Sequence, residues 1–100
     1  MRGYIIANYT INDPTTYQKY VEAVTPAFIA KYGGKIIIGD FEMKKLEGSP
    51  NQGIVVVEFE SMEAAERFYN STEYSENKHF RLSSTEGWVA IAKEFTPPKH

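Results

Sequence analysis

The chain has no cysteine. That excludes disulfides, thiolate catalysis and cysteine-based zinc sites, and it fits a cytoplasmic location. Histidine is almost as scarce: His79 is the only one inside the chain, the other being the final residue, His100. One internal imidazole among scattered acids lacks the ligand spacing of a zinc or non-haem iron site, and a haem would have to rely on His79 alone. No metal and no cofactor are expected. An excess of basic charge is missing too. Lysine and arginine number 11 against 13 acids, for a net charge of −2, and the signs are mixed along the chain. A nucleic-acid binder would show a basic stripe. No apolar run approaches the ~20 residues of a membrane span. The N-terminus, Met1-Arg2-Gly3-Tyr4-Ile5-Ile6, carries one positive charge and no small-residue cleavage site, so it reads as a strand and not as a signal peptide. No glycine loop opens a helix, since Gly33-Gly34 follows one, and no serine nucleophile elbow is present.

What is there fits one domain over residues 1–96, with residues 97–100 as a flexible tail. Residues 3–10 (GYIIANYT) form a β-rich run. Asp13-Pro14 starts a helix, a capping carboxylate followed by proline at the first position, where its missing N–H costs nothing. Tyr17, Tyr20, Val21, Val24, Phe28 and Tyr32 follow at three- and four-residue spacing, one face of a helix. Pro26 predicts a kink in it, or a restart capped by Thr25. Gly33-Gly34 ends it. Residues 35–47 predict a long second strand with a bulge or bend at Gly39; a turn-rich loop leads to a third strand at 54–60. Ser61 caps a second helix, whose buried stripe is Ala64, Ala65, Phe68 and Tyr69. Residues 71–85 read as a polar connection with a short helix around Tyr74–Phe80, and residues 87–95 as the last strand. The order β-α-β-β-α-β is the ferredoxin-like, α+β pattern: two helices on one face of a four-stranded antiparallel sheet.

In such a fold the face away from the helices should alternate to polar residues if the chain works alone. Here both parities are largely apolar: Ile5, Ala7 and Tyr9 against Tyr4, Ile6 and Asn8; Ile36 and Ile38 against Ile37; Val55, Val57 and Phe59 against Ile54 and Val56; Val89 and Ile91 against Trp88, Ala90 and Ala92. The uncovered face would expose roughly 600 Å² of apolar surface, as much as the largest patch usual on a monomer. Burying it is worth about 15 kcal/mol per subunit at 25 cal/mol/Å², before association costs. A second copy packed sheet to sheet about a two-fold axis is the simple solution. The alternative is that the 71–85 segment folds across that face.

At this point the chain resembles the uncharacterised family known as domain of unknown function 1330, of the dimeric α/β-barrel superfamily. The matching pieces are Gly3-Tyr4, Asp13-Pro14 with Tyr17 and Tyr20, Lys31-Tyr32-Gly33-Gly34, the Val55–Phe59 strand leading into Ser61-Met62-Glu63-Ala64-Ala65, and Ser71-Thr72-Glu73-Tyr74 with Arg81 and Glu86-Gly87 behind. They span nearly the whole chain. The resemblance implies the ferredoxin-like fold and a dimer whose two sheets form a barrel. It implies no activity. Superfamily relatives include cofactor-independent monooxygenases, muconolactone isomerases and chlorite-dismutase-like haem proteins, which is analogy by fold alone. The chain departs from the family at Asn8, where members often carry arginine.

Five residues are candidates for a site. His79 suits a general base near neutral pH, and Arg81 suits a substrate carboxylate; the bland readings are a surface histidine and an arginine paired with a nearby acid. Glu58, like Asp40, is an acid within an apolar strand, where burial would make it a proton acceptor; a solvent-facing strand end or an interface salt bridge explains either as well. Asn8 offers hydrogen bonds to a ligand or to neighbouring backbone. Tyr20, with Tyr17, Tyr32 and Trp88, reads as core, or as a hydroxyl lining a cleft. The fold also hosts RNA-binding domains and acylphosphatases, but the aromatic strand motif of the first is missing, as is the arginine-bearing loop of the second: residues 10–14 read Thr-Ile-Asn-Asp-Pro. The expected function is a homodimer binding a small acidic or aromatic molecule, as a cofactor-independent isomerase or monooxygenase. Its rival is a non-catalytic structural or interaction module whose main feature is the dimer. No nucleic acid or membrane is expected as a partner.

Overall fold

The computed structural model describes residues 1–98. Eight elements follow one another: β1 (Gly3–Ile11), α1 (Pro14–Ala23), α2 (Pro26–Ala30), β2 (Lys35–Asp40), β3 (Gly53–Phe59), α3 (Met62–Tyr69), α4 (Thr72–Leu82) and β4 (Thr85–Lys93). The strands form one sheet in the order β2-β3-β1-β4, with every neighbouring pair antiparallel. This is the expected α+β, ferredoxin-like arrangement, with four helices in place of two.

Local chemistry sets the element ends. Asp13 accepts from the Thr16 backbone N–H at 3.2 Å and from its hydroxyl at 2.7 Å, so α1 starts at Pro14. Pro26 cannot continue the helix. The chain instead restarts, with Thr25 accepting from the Phe28 N–H at 3.1 Å and proline at the first position of α2. Gly33, at φ +81°, closes that segment in a conformation that L side chains rarely adopt. Ser61 and Ser71 cap α3 and α4 in the same way as Thr25.

The second strand is shorter than its apolar run suggests. It stops at Asp40, whose carboxylate accepts from the Glu42 N–H at 2.7 Å and turns the backbone out of the ladder. The bulge falls at Ile37, between Ile36 and Ile38, and not at Gly39. The last strand begins and ends two residues earlier than expected, because Thr85 pairs with Ile11 at the far end of β1. Half of the expected tail, residues 97 and 98, has no regular structure; residues 99–100 lie outside the described residues.

The larger difference is α4. Where a polar connection with a short helix was expected, the structure has an 11-residue helix. It packs against α1 on the helix-covered side of the sheet. Tyr74 from α4 joins Ile5, Val57, Phe59, Ala64, Ala65 and Phe68 in the core. The 71–85 segment therefore does not cross the open face. That face keeps Tyr4, Ile6, Ile38, Ile54, Trp88 and Ala90, of which Ile38 and Trp88 are 45% and 50% exposed. No helix among the described residues is long and apolar enough to cross a membrane.

Candidate functional site

Between the helices and the sheet lies a cavity of about 260 Å³. Its floor is the helix-facing row of the strands: Ile5, Ala7 and Tyr9 of β1, Val55 and Val57 of β3, and Val89 of β4. Its roof comes from Tyr17 and Tyr20 of α1, Ile29 of α2, Phe68 of α3, and Tyr74 and Arg81 of α4. Val21, Pro26 and Ile36 also border it, all three exposed, so it opens at the break between α1 and α2 beside the edge strand β2.

The wall is apolar except at one cluster. Arg81 is 5% exposed, its Nε is sealed from solvent without a hydrogen-bond partner, and among the described residues no carboxylate pairs with its guanidinium. Arginine carries five donors and is hardly ever fully buried unless paired, so one whose buried Nε has no partner is a polar group awaiting an acceptor. Burial works against its charge, but the neighbouring Tyr74 and Tyr20 outweigh it and lift its pKa above the ordinary arginine value. It stays cationic. Its guanidinium carbon lies 6.0 Å from the Tyr20 ring centre, within cation–π range.

Four tyrosines surround it as two hydroxyl pairs. The Tyr9 and Tyr17 hydroxyls are 2.6 Å apart, and those of Tyr20 and Tyr74 are 3.0 Å apart. In each pair one hydroxyl donates to the other, which leaves one proton per pair free to donate. Burial is the main cause that raises the pKa of Tyr9, Tyr17 and Tyr20, and the pairing with Tyr17 raises Tyr9 further. All three are neutral donors at ordinary pH. Phe41, just beyond β2, closes one side, with ring centres 5.8 Å from Tyr9 and 6.3 Å from Tyr17. A Cβ at Gly53 would clash with the edge of the Phe41 ring, so only glycine lets that ring settle there.

Of the five candidates, the structure brings Arg81 and Tyr20 together in this wall and leaves the other three outside it. Asn8 is buried, but points to the opposite sheet face and is fully engaged. Its Nδ2 donates to the Gly53 carbonyl at 2.8 Å, and its Oδ1 accepts from the Asn51 N–H at 3.1 Å, pinning the loop before β3. Glu58, on the same face, pairs with Arg2 at 3.6 Å and accepts from the Tyr4 hydroxyl at 3.2 Å. Asp40 is the exposed strand end already described. His79 is exposed and stacks on Phe80 with ring centres 4.1 Å apart. Two residues along a helix is about 200° of turn, so His79 and Arg81 face opposite ways. The cavity wall contains no histidine, aspartate or glutamate. Among the described residues no group of three or more such side chains could hold a metal ion. Tyr9 and Tyr74 are the site residues that sequence reasoning passed over, while Tyr17 stood beside Tyr20 as a hydroxyl that could line a cleft. The signal for them was their hydroxyls: four interior-facing tyrosines carry polar atoms that a leucine stripe would not.

The family model for the domain of unknown function DUF1330 matches residues 2–95. The chain belongs to the DUF1330 family. No curated protein matches it in sequence. In fold, this DUF1330 chain is similar to RPA0582, a protein of unknown function from Rhodopseudomonas palustris, at 16% identity and TM-score 0.74, covering 96% of this chain and 84% of that one. It is also similar to a dimeric protein of unknown function with a ferredoxin-like fold from Bacteroides fragilis, at 13% identity and TM-score 0.60 over 93% and 96%. A third likeness is to SnoaB, a cofactor-independent oxygenase from Streptomyces nogalater, at 10% identity and TM-score 0.65 over 96% and 95%. At these identities the likeness shows the fold and not the chemistry.

Proposed function

We propose that the chain is a homodimer, each subunit of which binds a small, mostly apolar organic acid in the cavity between helices and sheet. The observation that carries the ligand is Arg81: a buried cation without a counter-charge in an otherwise oily cavity. Apolar walls with a few convergent polar groups are the usual make-up of a small-molecule site. Arg81 holds the acid group, and the free protons of the two tyrosine pairs add neutral donors beside it. The second copy covers the open sheet face, whose exposed Ile38 and Trp88 motivate it, and the dimeric Bacteroides fragilis neighbour accords with it.

As an enzyme, such a site suits isomerisation or oxygenation of the bound acid without a cofactor, the guanidinium and hydroxyls stabilising negative charge that develops on the substrate. SnoaB supports this by fold alone. A second reading, a binding module without turnover, is favoured by the wall itself, which offers no carboxylate or imidazole to take a proton. A thermal-shift screen of small organic acids on the parent chain and on Arg81→Met tests the ligand. Acids are expected to raise the melting temperature of the parent and not of the variant. Equal shifts in both, or none in either, would remove Arg81 from the site. Product analysis of each stabilising acid then separates the enzyme from the binding module.

A further inference from the structure

We infer that the occupant is a monocyclic monoanion: one ring bearing one acid group and little else. This rests on the reading of the cavity as an acid-binding site and goes on to its selectivity. Two features set the limits, size and charge count.

Size comes first. A dry, apolar cavity of about 150 Å³ holds a benzene ring. The present cavity, at about 260 Å³, leaves roughly 110 Å³ beyond such a ring, and a water-sized group takes about 30 Å³. That is room for three or four further heavy atoms, which one carboxylate fills. A second fused ring exceeds that volume and would have to project through the opening beside Val21 and Pro26. The walls suit a ring as well as contain it, since Phe68 and Tyr74, tilted with ring centres 4.8 Å apart, line the helix side together with Val24, and Ile5 and Val57 present branched aliphatic surface from the sheet.

Charge comes second. Arg81 is the only cation in the wall, and the hydroxyls near it are neutral. One anionic group is matched there. A carboxylate can accept at about four positions, and the guanidinium with the two unspent tyrosine protons supplies donors of the right kind. A second anionic group finds no second cation anywhere in the wall, which is unfavourable wherever the apolar lining takes it out of water.

The test is a calorimetric panel on the parent chain, with benzoate as probe and benzamide, 2-naphthoate and terephthalate as comparisons. Benzamide keeps the shape and loses the charge, 2-naphthoate adds a ring, and terephthalate adds a second carboxylate across the ring. Benzoate is expected to bind at least roughly tenfold more tightly than each of the three, in line with what a charged hydrogen bond contributes. Affinity for 2-naphthoate or terephthalate within about threefold of benzoate overturns the inference, yet leaves the acid-binding site in place. Benzamide equal to benzoate, or no binding of any acid, overturns the site as well. A filled version, Val24→Phe, places a ring where the ligand ring would sit. It is expected to abolish benzoate binding while melting no lower than the parent, and retained binding in a folded Val24→Phe would also overturn the inference.

Discussion

The Arg81 Nε, the one guanidinium atom sealed without a partner, works against the fold whenever the cavity is empty. A buried donor without an acceptor carries its desolvation penalty in full, about 1–3 kcal/mol and more for a charged group. Arg81→Met keeps the length and apolar stem, so the ligand-free variant is expected to be more stable by roughly that amount, raising the melting temperature of a domain this size by several degrees. Calorimetric melting of the two proteins checks it, and a less stable variant would mean that Arg81 serves packing. The tyrosines make a second prediction, on pH. Their folded pKa values lie above the ordinary value near 10. Above that pH the unfolded chain loses protons that the folded one keeps. The stability they contribute is therefore complete below about pH 10 and falls as pH rises beyond it. Of the seven tyrosines, those buried in the cavity wall are expected to add their tyrosinate absorbance only together with the loss of far-UV circular dichroism, in one cooperative alkaline transition. A complete rise in absorbance without loss of structure would show the hydroxyls to be open to solvent. At this scale the sequence carried part of the site. Arg81 stood out as an arginine behind a family-like segment, and Tyr20 as a hydroxyl on an inward helix face. Asn8 and Glu58 were visible only as polar residues in apolar strands. Whether such a residue lines a cavity or ties down a loop depends on which sheet face it occupies and who is opposite, which one strand's pattern does not contain.

The elements were legible where one local cause sets them. Asp13-Pro14, Thr25-Pro26 and Ser61 each place a helix start by their own side chains. The end of β2 was not legible, because Ile36–Phe41 reads as strand while the Asp40 side chain competes for the backbone. Nor was the length of α4. Only Tyr74 and Arg81 of its residues are buried, seven positions apart, so it shows no continuous apolar stripe, and tertiary contact with α1 rather than its own pattern holds it. Underestimating α4 shortened the element that carries both the cation and one hydroxyl of the site. The loop from residue 41 to 52 has its own test. Gly53→Ala would displace the Phe41 ring from Tyr9 and Tyr17, at a cost of about 1–3 kcal/mol for overpacking. Urea denaturation is expected to show that loss, and unchanged stability would mean that the ring moves aside freely.

At the scale of the whole molecule, one sheet serves two ends. Its helix-facing row builds the cavity, and its other row is apolar enough to need cover. Sedimentation velocity at micromolar concentration is expected to show two copies of the chain. Trp88→Glu, a change at a site half exposed in the single chain, is expected to shift the population toward one. A parent chain that sediments as a single subunit would leave the open face without its occupant. The proposal as a whole meets its most direct test in a crystal structure of the parent chain grown with saturating benzoate. The expected result is one molecule per subunit, its carboxylate against the Arg81 guanidinium and its ring between Phe68 and Val57. A cavity that stays empty at saturation, or benzoate seated anywhere else, would contradict the account.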